Sequence, residues 1–268
     1  MSENIELLVQ QANKGDKQAL EAVILSIKDL VYNLSVKMLL FPEDAEDATQ
    51  EILVKIVTHL STFRSQSKFS TWVYRIATNY LITTKGKKSS EFTMDFQEYA
   101  VFIDSGHSDQ VTTTENAGEI QLLEEEVKIS CTQGLLLCLD TAHRMTYILG
   151  VILEFNSKEG GTILSITPAT FRQQLSRSKK KIKFFLQSKC GLVNPENPCR
   201  CLKKIDFLSK QQLIDLQQLR FAPFSNRSIE LMKKIEKIEN EQTLYQSNPD
   251  LNAPEILINK MKELIKTI

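Results

Sequence analysis

The sequence predicts an all-helical protein, and three observations carry that prediction. Apolar residues recur at spacings of three and four along most of the chain, as at Leu20, Val23, Ile24, Ile27, Leu30, Val31 and Leu34. β-Branched residues seldom alternate with polar ones over the lengths that strands need. Nine glycines and seven prolines in 268 residues are too few for the many turns of an all-β chain. With 42% hydrophobic residues and a formal net charge of +0, the chain suits two or three small domains rather than one large core.

The elements follow in order. Asn4 to Ala12 is a short amphipathic helix using Ile5, Leu8, Val9 and Ala12. Gly15-Asp16 is a turn, and Asp16 can cap the helix that follows from Lys17 to Leu40. Phe41-Pro42 breaks that helix, and Glu43-Asp44 opens the next, where acids suit the positive N-terminal end.

The stretch from Phe41 to Lys88 holds two helical patterns of contrasting chemistry. Asp44 to Leu60 sets Ala45, Ala48, Ile52, Ile56 and Leu60 on one stripe, with Asp44, Asp47, Gln50 and Glu51 on its other faces. Ser61 to Lys68 is a polar loop without helical period. Ser70 to about Lys85 then gathers Trp72, Tyr74, Arg75, Asn79, Tyr80 and Lys85. An acidic helix beside an aromatic, basic one suggests a basic protein partner and a nucleic acid with exposed bases. The plain alternatives are a solvated acidic face, an ordinary interhelical loop and a tryptophan that anchors a core.

At these residues the chain resembles a known family. DAEDATQEI followed by FSTWVYRIATN is similar to region two of the bacterial sigma factors of the extracytoplasmic-function group. The resemblance implies that Asp44, Asp47, Gln50 and Glu51 dock on the clamp helices of the largest subunit of core RNA polymerase. It implies that the loop captures a flipped base of the minus-ten element, with Arg64 and Lys68 meeting phosphate. Trp72 falls where primary sigma factors carry a tryptophan pair, but the second position here is Val73. Arg75, Asn79 and Lys85, followed by Lys87 and Lys88, would track the backbone of the opened promoter DNA.

From residue 89 to 116 the helical stripe dissolves into Ser, Thr and acids, which predicts a flexible acidic linker. Helical patterns resume with Ile120, Leu123, Val127 and Ile129, then Gly134 to Leu139, then Ala142 to Leu153. Cys131 and Cys138 lie among apolar residues and are expected in a core. Asn156 can cap a short helix to Leu164, and Thr167-Pro168 opens another after a turn at Ser165-Ile166. In the latter, Phe171, Leu175, Ser178, Ile182 and Phe185 face inward while Arg172, Gln173, Ser176, Arg177, Lys179, Lys180 and Lys183 stay outside. This is a helix-turn-helix pattern. It resembles sigma region four, which reads the minus-thirty-five element. Thr170, Arg172, Gln173 and Ser176 are placed to read base edges, whereas Arg177, Lys179, Lys180 and Lys183 are placed for phosphate; a solvated basic face is the alternative. Gly161 falls where the family has a small residue, but Gly160 costs about 1 kcal/mol of helix propensity with no packing reason visible in the sequence.

The chain continues past residue 188, where small sigma factors end. KCGLVNPENPCRCLKKI spaces Cys190, Cys199 and Cys201 as C-x8-C-x-C, without the paired C-x-x-C of common zinc sites. An inert loop, a metal site completed by Cys131, Cys138 or a more distant group, and a redox switch are all open. No metal and no cofactor is assigned. Helices are expected over 209–220, 226–246 and 253–267. The resulting division is 1–88, 89–116, 117–188 and 189–268.

The expected protein is thus an all-α alternative sigma factor: a region-two bundle, a flexible acidic linker, a region-four helix-turn-helix and a C-terminal helical extension. Its partners would be core RNA polymerase and promoter DNA, restrained by an anti-sigma factor or by the extension itself. A free-standing helix-turn-helix regulator is the alternative. No G-x-x-x-x-G-K-[ST], H-E-x-x-H or G-x-S-x-G is present, so an enzyme is not expected. The N-terminus lacks a basic-then-apolar leader, no apolar run spans a bilayer, and five cysteines form no disulfide framework, so a cytoplasmic location without membrane contact is expected.

Overall fold

A 23-residue helix, α2 (Lys17–Leu39), is the axis of the first half of the chain. Asp16 caps it, its carboxylate accepting from the amides of Gln18 and Ala19 at 2.9 and 3.1 Å. Its last third is buried all round, from Val31 to Leu39, because helices lie on several sides of it. Leu40 closes it with φ 66, a left-handed conformation that costs a non-glycine residue about 1–3 kcal/mol. Burial of the Leu40 side chain holds it there, and Pro42 opens the next helix in the favoured manner.

The structure is a computed structural model and describes residues 2–84, 86–106, 117–217, 219–221, 238 and 240–267. Among these residues there is no strand, only one isolated bridge between Cys190 and Cys199. The helices are α1 (Ser2–Ala12), α2, α3 (Pro42–His59), α4 (Phe69–Thr83), α5 (Lys87–Glu91), α6 (Phe96–Ser105), α7 (Ala117–Leu137) and α8 (Thr141–Tyr147). There follow α9 (Ser157–Leu164), α10 (Pro168–Lys189), α11 (Ile205–Lys210), α12 (Glu241–Gln246) and α13 (Glu255–Thr267). A π-helical turn over Ile148–Ile152 extends α8.

The residues group into two units: Met1–Glu91 with Phe155–Arg172 and Asp250–Ile268, and Phe92–Glu154 with Gln173–Pro249. In the first unit, α1, α3 and α4 pack on α2, α9 packs on α4, and α13 packs on α2 and α3. The stripe of Ala45, Ala48, Ile52, Ile56 and Leu60 is buried, as the periodicity of α3 predicts. In the second unit, α6, α7, α8, α11, α12 and the later turns of α10 share a core rich in aromatics. Tyr99 packs beside Phe185 at 5.6 Å between ring centres, and Tyr147 meets Tyr245 edge-on at 5.3 Å.

Three expectations need correction. The acidic linker is helical in its first part: Asp95 and Glu98 form a reciprocal capping box on α6, and Tyr99 and Ile103 are buried. The short apolar spacing of that helix was masked by its Ser- and acid-rich surroundings; residues 107–116 lie outside the described residues. Gly134 does not start a new helix, since α7 continues through it to Leu137. Its missing side chain admits the Tyr99 hydroxyl, which a Cβ would meet at 2.8 Å. The helix expected over 209–220 ends early, because the chain turns at Gln212 with φ 58 after α11. Of the helix expected over 226–246, residues 226–237 and 239 lie outside the described residues, and α12 covers the end. The final helix falls where expected, as α13.

Candidate functional site

The acidic face of α3 divides in two. Asp47 and Glu51 are exposed one turn apart, with Gln50 half-buried beside them. Asp44 is engaged within the fold. Its carboxylate accepts from the amides of Lys87 and Ser89 at 3.0 and 2.9 Å and from the Ser89 hydroxyl at 2.8 Å. It thereby holds the start of α5, a role that nothing in the helical pattern announces because its partners lie more than forty residues away. Glu43 pairs with Lys88 at 2.7 Å, so the cations after α4 are partly drawn toward α3. Glu46 faces the other way: burial and the neighbouring Glu43 raise its carboxyl above the usual range, and Lys260 of α13 opposes them.

Between α3 and α4 the chain makes a 3-10 turn over Leu60–Thr62 and a loop in which Ser65 adopts φ 52. Phe63, Phe69 and Trp72 lie beneath this loop as an aromatic triad, with ring centres 5.2 to 5.7 Å apart and Trp72 stacked on Phe69. The half-buried Trp72 therefore stiffens the loop from below. Arg64 and Lys68 stand exposed on the loop, and Arg75 and Asn79 stand exposed one turn apart on α4. Lys85 lies outside the described residues. The structure thus brings loop cations and polar α4 residues to the surface around one aromatic base. Tyr74, one of the aromatics gathered on α4, packs edge-on against Phe155 at 5.0 Å where α9 meets α4.

The helix-turn-helix forms as its capping residues predict. Asn156 and Glu159 make a capping box on α9, and Ser165 turns the chain in a left-handed conformation with φ 55. The Thr167 hydroxyl accepts from the Thr170 amide at 3.1 Å at the start of α10. Both glycines have a steric reason. A Cβ on Gly160 would lie 2.2 Å from the Phe171 ring, and one on Gly161 would lie 2.9 Å from the Ile166 carbonyl oxygen. The absent side chain of Gly160 lets Phe171 of α10 seat against α9, a reason invisible to one-dimensional propensity. Phe171, Ser178, Ile182 and Phe185 are buried, and Leu175 is half-buried. Arg172, Gln173, Ser176, Arg177 and Lys180 are exposed, with Thr170 half-buried. Arg172 donates to the Ser157 hydroxyl at 3.1 Å, which ties its guanidinium to the start of α9.

Among known proteins, residues 23–91 match the family model described as sigma-70 region 2. That segment contains α3, the loop and α4. The chain is 29% identical to the ECF RNA polymerase sigma factor SigW of Bacillus subtilis over 183 residues, covering 67% of this chain and 95% of that protein. Residues 23–91 are thus similar to sigma-70 region 2, and the similarity to an ECF sigma factor runs over two thirds of the chain.

Two further relatives are also sigma factors. The RNA polymerase sigma-H factor of Pseudomonas aeruginosa is 25% identical over 195 residues, 69% of this chain and 95% of that protein. The ECF RNA polymerase sigma-E factor of Escherichia coli K12 is 27% identical over 188 residues, 68% of this chain and 95% of that protein. These sigma factors are matched over nearly their whole length, while about a third of the present chain has no counterpart in them. Among the described residues, no helix is long and apolar enough to cross a membrane.

Proposed function

We propose that this chain is an alternative sigma factor of the extracytoplasmic-function type. It binds core RNA polymerase, recognises minus-ten and minus-thirty-five promoter elements and promotes transcription initiation. The observation that carries this reading is the match of residues 23–91 to sigma-70 region 2, within which Asp47 and Glu51 are exposed on α3 and Arg64, Lys68, Arg75 and Asn79 are exposed beyond it. Asp47, Glu51 and Gln50 meet the polymerase clamp helices. Arg64, Lys68, Arg75 and Asn79 hold the opened strand, by phosphate contact and by hydrogen bonds to bases. Arg172, Gln173 and Ser176 read base edges, while Arg177 and Lys180 meet phosphate. A free-standing regulator has no use for a region-two surface, and the relatives are sigma factors over nearly their full length.

The C-terminal segment supports a restraint within the chain in place of a separate anti-sigma factor. Ala253, Leu257, Met261 and Ile265 are buried where α13 lies on α2 and α3. Lys262 pairs with Glu21 at 2.8 Å, and Lys17 donates to the Lys266 carbonyl at 3.1 Å. A helix seated on α3 competes for space with a polymerase that grips the same helix.

Run-off transcription with purified core polymerase on a genomic promoter library tests both statements. Discrete transcripts that depend on the added chain are expected, and more of them from a Lys262→Glu variant. Promoter binding that is independent of polymerase, with no transcripts, would overturn the sigma reading. Activity of Lys262→Glu and of a chain ending at Pro249 no higher than that of the unaltered chain would overturn the restraint alone.

A further inference from the structure

The loop after α10 brings four thiols to one place. Cys190, Cys199 and Cys201 line a single apolar cavity together with Cys131 of α7, and the Lys189 and Lys204 side chains complete part of its wall. None of these cysteines is in a disulfide. Cys190 and Cys199 face each other across a parallel backbone bridge. Bridged extended segments sit roughly 5 Å apart, inside the Cα separation of roughly 4.4–6.8 Å that a disulfide spans.

The loop is constructed for this approach. A Cβ on Gly191 would lie 2.1 Å from the Cys199 carbonyl oxygen, so only glycine lets the two segments meet. The Asn197 side chain donates to the Cys190 carbonyl at 3.2 Å and to the Gln187 carbonyl at 3.0 Å. Arg200 donates to the carbonyls of Pro195 and Cys199 at 2.9 and 2.8 Å. These bonds fasten the loop from within. Among the described residues, no three Cys, His, Asp or Glu side chains are arranged to hold a metal ion, so the geometry favours a paired-thiol chemistry.

We propose that Cys190 and Cys199 form a reversible dithiol–disulfide pair oxidised by small hydroperoxides. The Cys199 thiolate attacks the peroxide; an S–O bond forms, the O–O bond breaks, and the leaving hydroxide takes the thiol proton to become water. The Cys190 sulfur then attacks the Cys199 sulfur. An S–S bond forms, the S–O bond breaks, and hydroxide departs with the Cys190 proton as a second water. Two electrons pass from two thiols to one hydrogen peroxide, giving one disulfide and two waters. Burial raises the Cys199 thiol above its ordinary value, and the Lys204 and Arg200 charges oppose that rise. Burial, with the neighbouring Cys199 and Cys190, pushes the Cys131 thiol up to about 12 against the Tyr99 hydrogen bond and the Lys204 charge, so little thiolate forms there.

The test uses the full-length protein treated with hydrogen peroxide, then alkylated and mapped without reduction. Loss of two of the five thiols is expected, with one cross-linked peptide joining Cys190 to Cys199, both reversed by a dithiol reductant. Cys199→Ser should abolish the loss and Cys138→Ser should not. Cross-links through Cys131 or Cys201 instead, or thiols that survive treatment, would overturn the proposal. So would purified protein carrying about one zinc per chain that shields the thiols and is lost in Cys199→Ser. Should Cys199→Ser fail to fold by circular dichroism, the peptide map of the unaltered chain still decides.

Discussion

Asn33 and Leu251 are joined by two hydrogen bonds: the Asn33 amide donates to the Leu251 carbonyl at 2.6 Å, and its side-chain oxygen accepts from the Leu251 amide at 2.8 Å. One side chain thus satisfies both backbone groups of a residue 218 positions away. Asp29 adds a bond from the Ala253 amide at 2.8 Å. The approach to α13 is therefore bound through its backbone, and the identity of the side chain at 251 matters little to those bonds.

Asn33→Ala should release this segment. It removes both bonds to Leu251 and leaves part-buried groups unpaired, for a loss of about 1–3 kcal/mol. Hydrogen exchange at the Leu251 and Ala253 amides should quicken. Unchanged protection there would show that α13 alone anchors the segment.

Lys37 makes the stability depend on alkaline pH. Burial lowers its ammonium below the usual value, and exposed Asp250 at 3.6 Å only partly opposes this. Between the folded and unfolded values the unfolded chain binds more proton, so stability rises as pH climbs through that window toward 10.5. Lys37→Met should flatten this rise and keep or increase stability at neutral pH. Urea midpoints between pH 7 and 10 provide the measurement.

Gly160→Ala sets two effects against each other. Alanine favours the helix by about 1 kcal/mol, but its Cβ enters the Phe171 ring, and overpacking of this kind costs about 1–3 kcal/mol. Net destabilisation is expected in denaturant unfolding. Adding Phe171→Leu should recover part of it, since the smaller side chain vacates the contact.

Charge reversal at Asp47 and Glu51 should weaken binding to core polymerase without lowering the unfolding midpoint, because both are exposed. Asp44→Ala should do the opposite. It removes the acceptor of three hydrogen bonds at α5 and lowers stability by about 1–2 kcal/mol. Pull-down and denaturation on the same variants separate the two outcomes.

On α10, Arg172→Ala should relax preference at one promoter position at a cost of about 1–3 kcal/mol. Lys180→Ala should weaken all sequences alike and reduce the salt slope by about 1. Ser157→Ala should fall between, because it frees the Arg172 guanidinium without removing it. Binding measured on a matched set of promoter variants at several salt concentrations distinguishes the three.

Much of this was legible in the chain because its causes are local. The α3 stripe, the Asp16 and Asn156 caps and the Pro168 start depend on neighbours within a turn, and periodicity carries that information. What escaped depends on residues distant in sequence. Asp44 is turned inward by Lys87 and Ser89, and Gly160 and Gly134 are required by aromatic side chains of other helices. The helix at Phe96–Ser105 is a different case. Its capping box was present in the sequence, but composition averaged over the surrounding acids and serines outweighed it.

Trp72 is the chain's sole tryptophan, and it lies stacked on Phe69 beneath the loop that carries Arg64 and Lys68. Its indole emission therefore comes from one known spot and needs no dye. A shift in colour or a quench on adding single-stranded oligonucleotide would time events at that loop directly, with the unmodified molecule as its own optical probe.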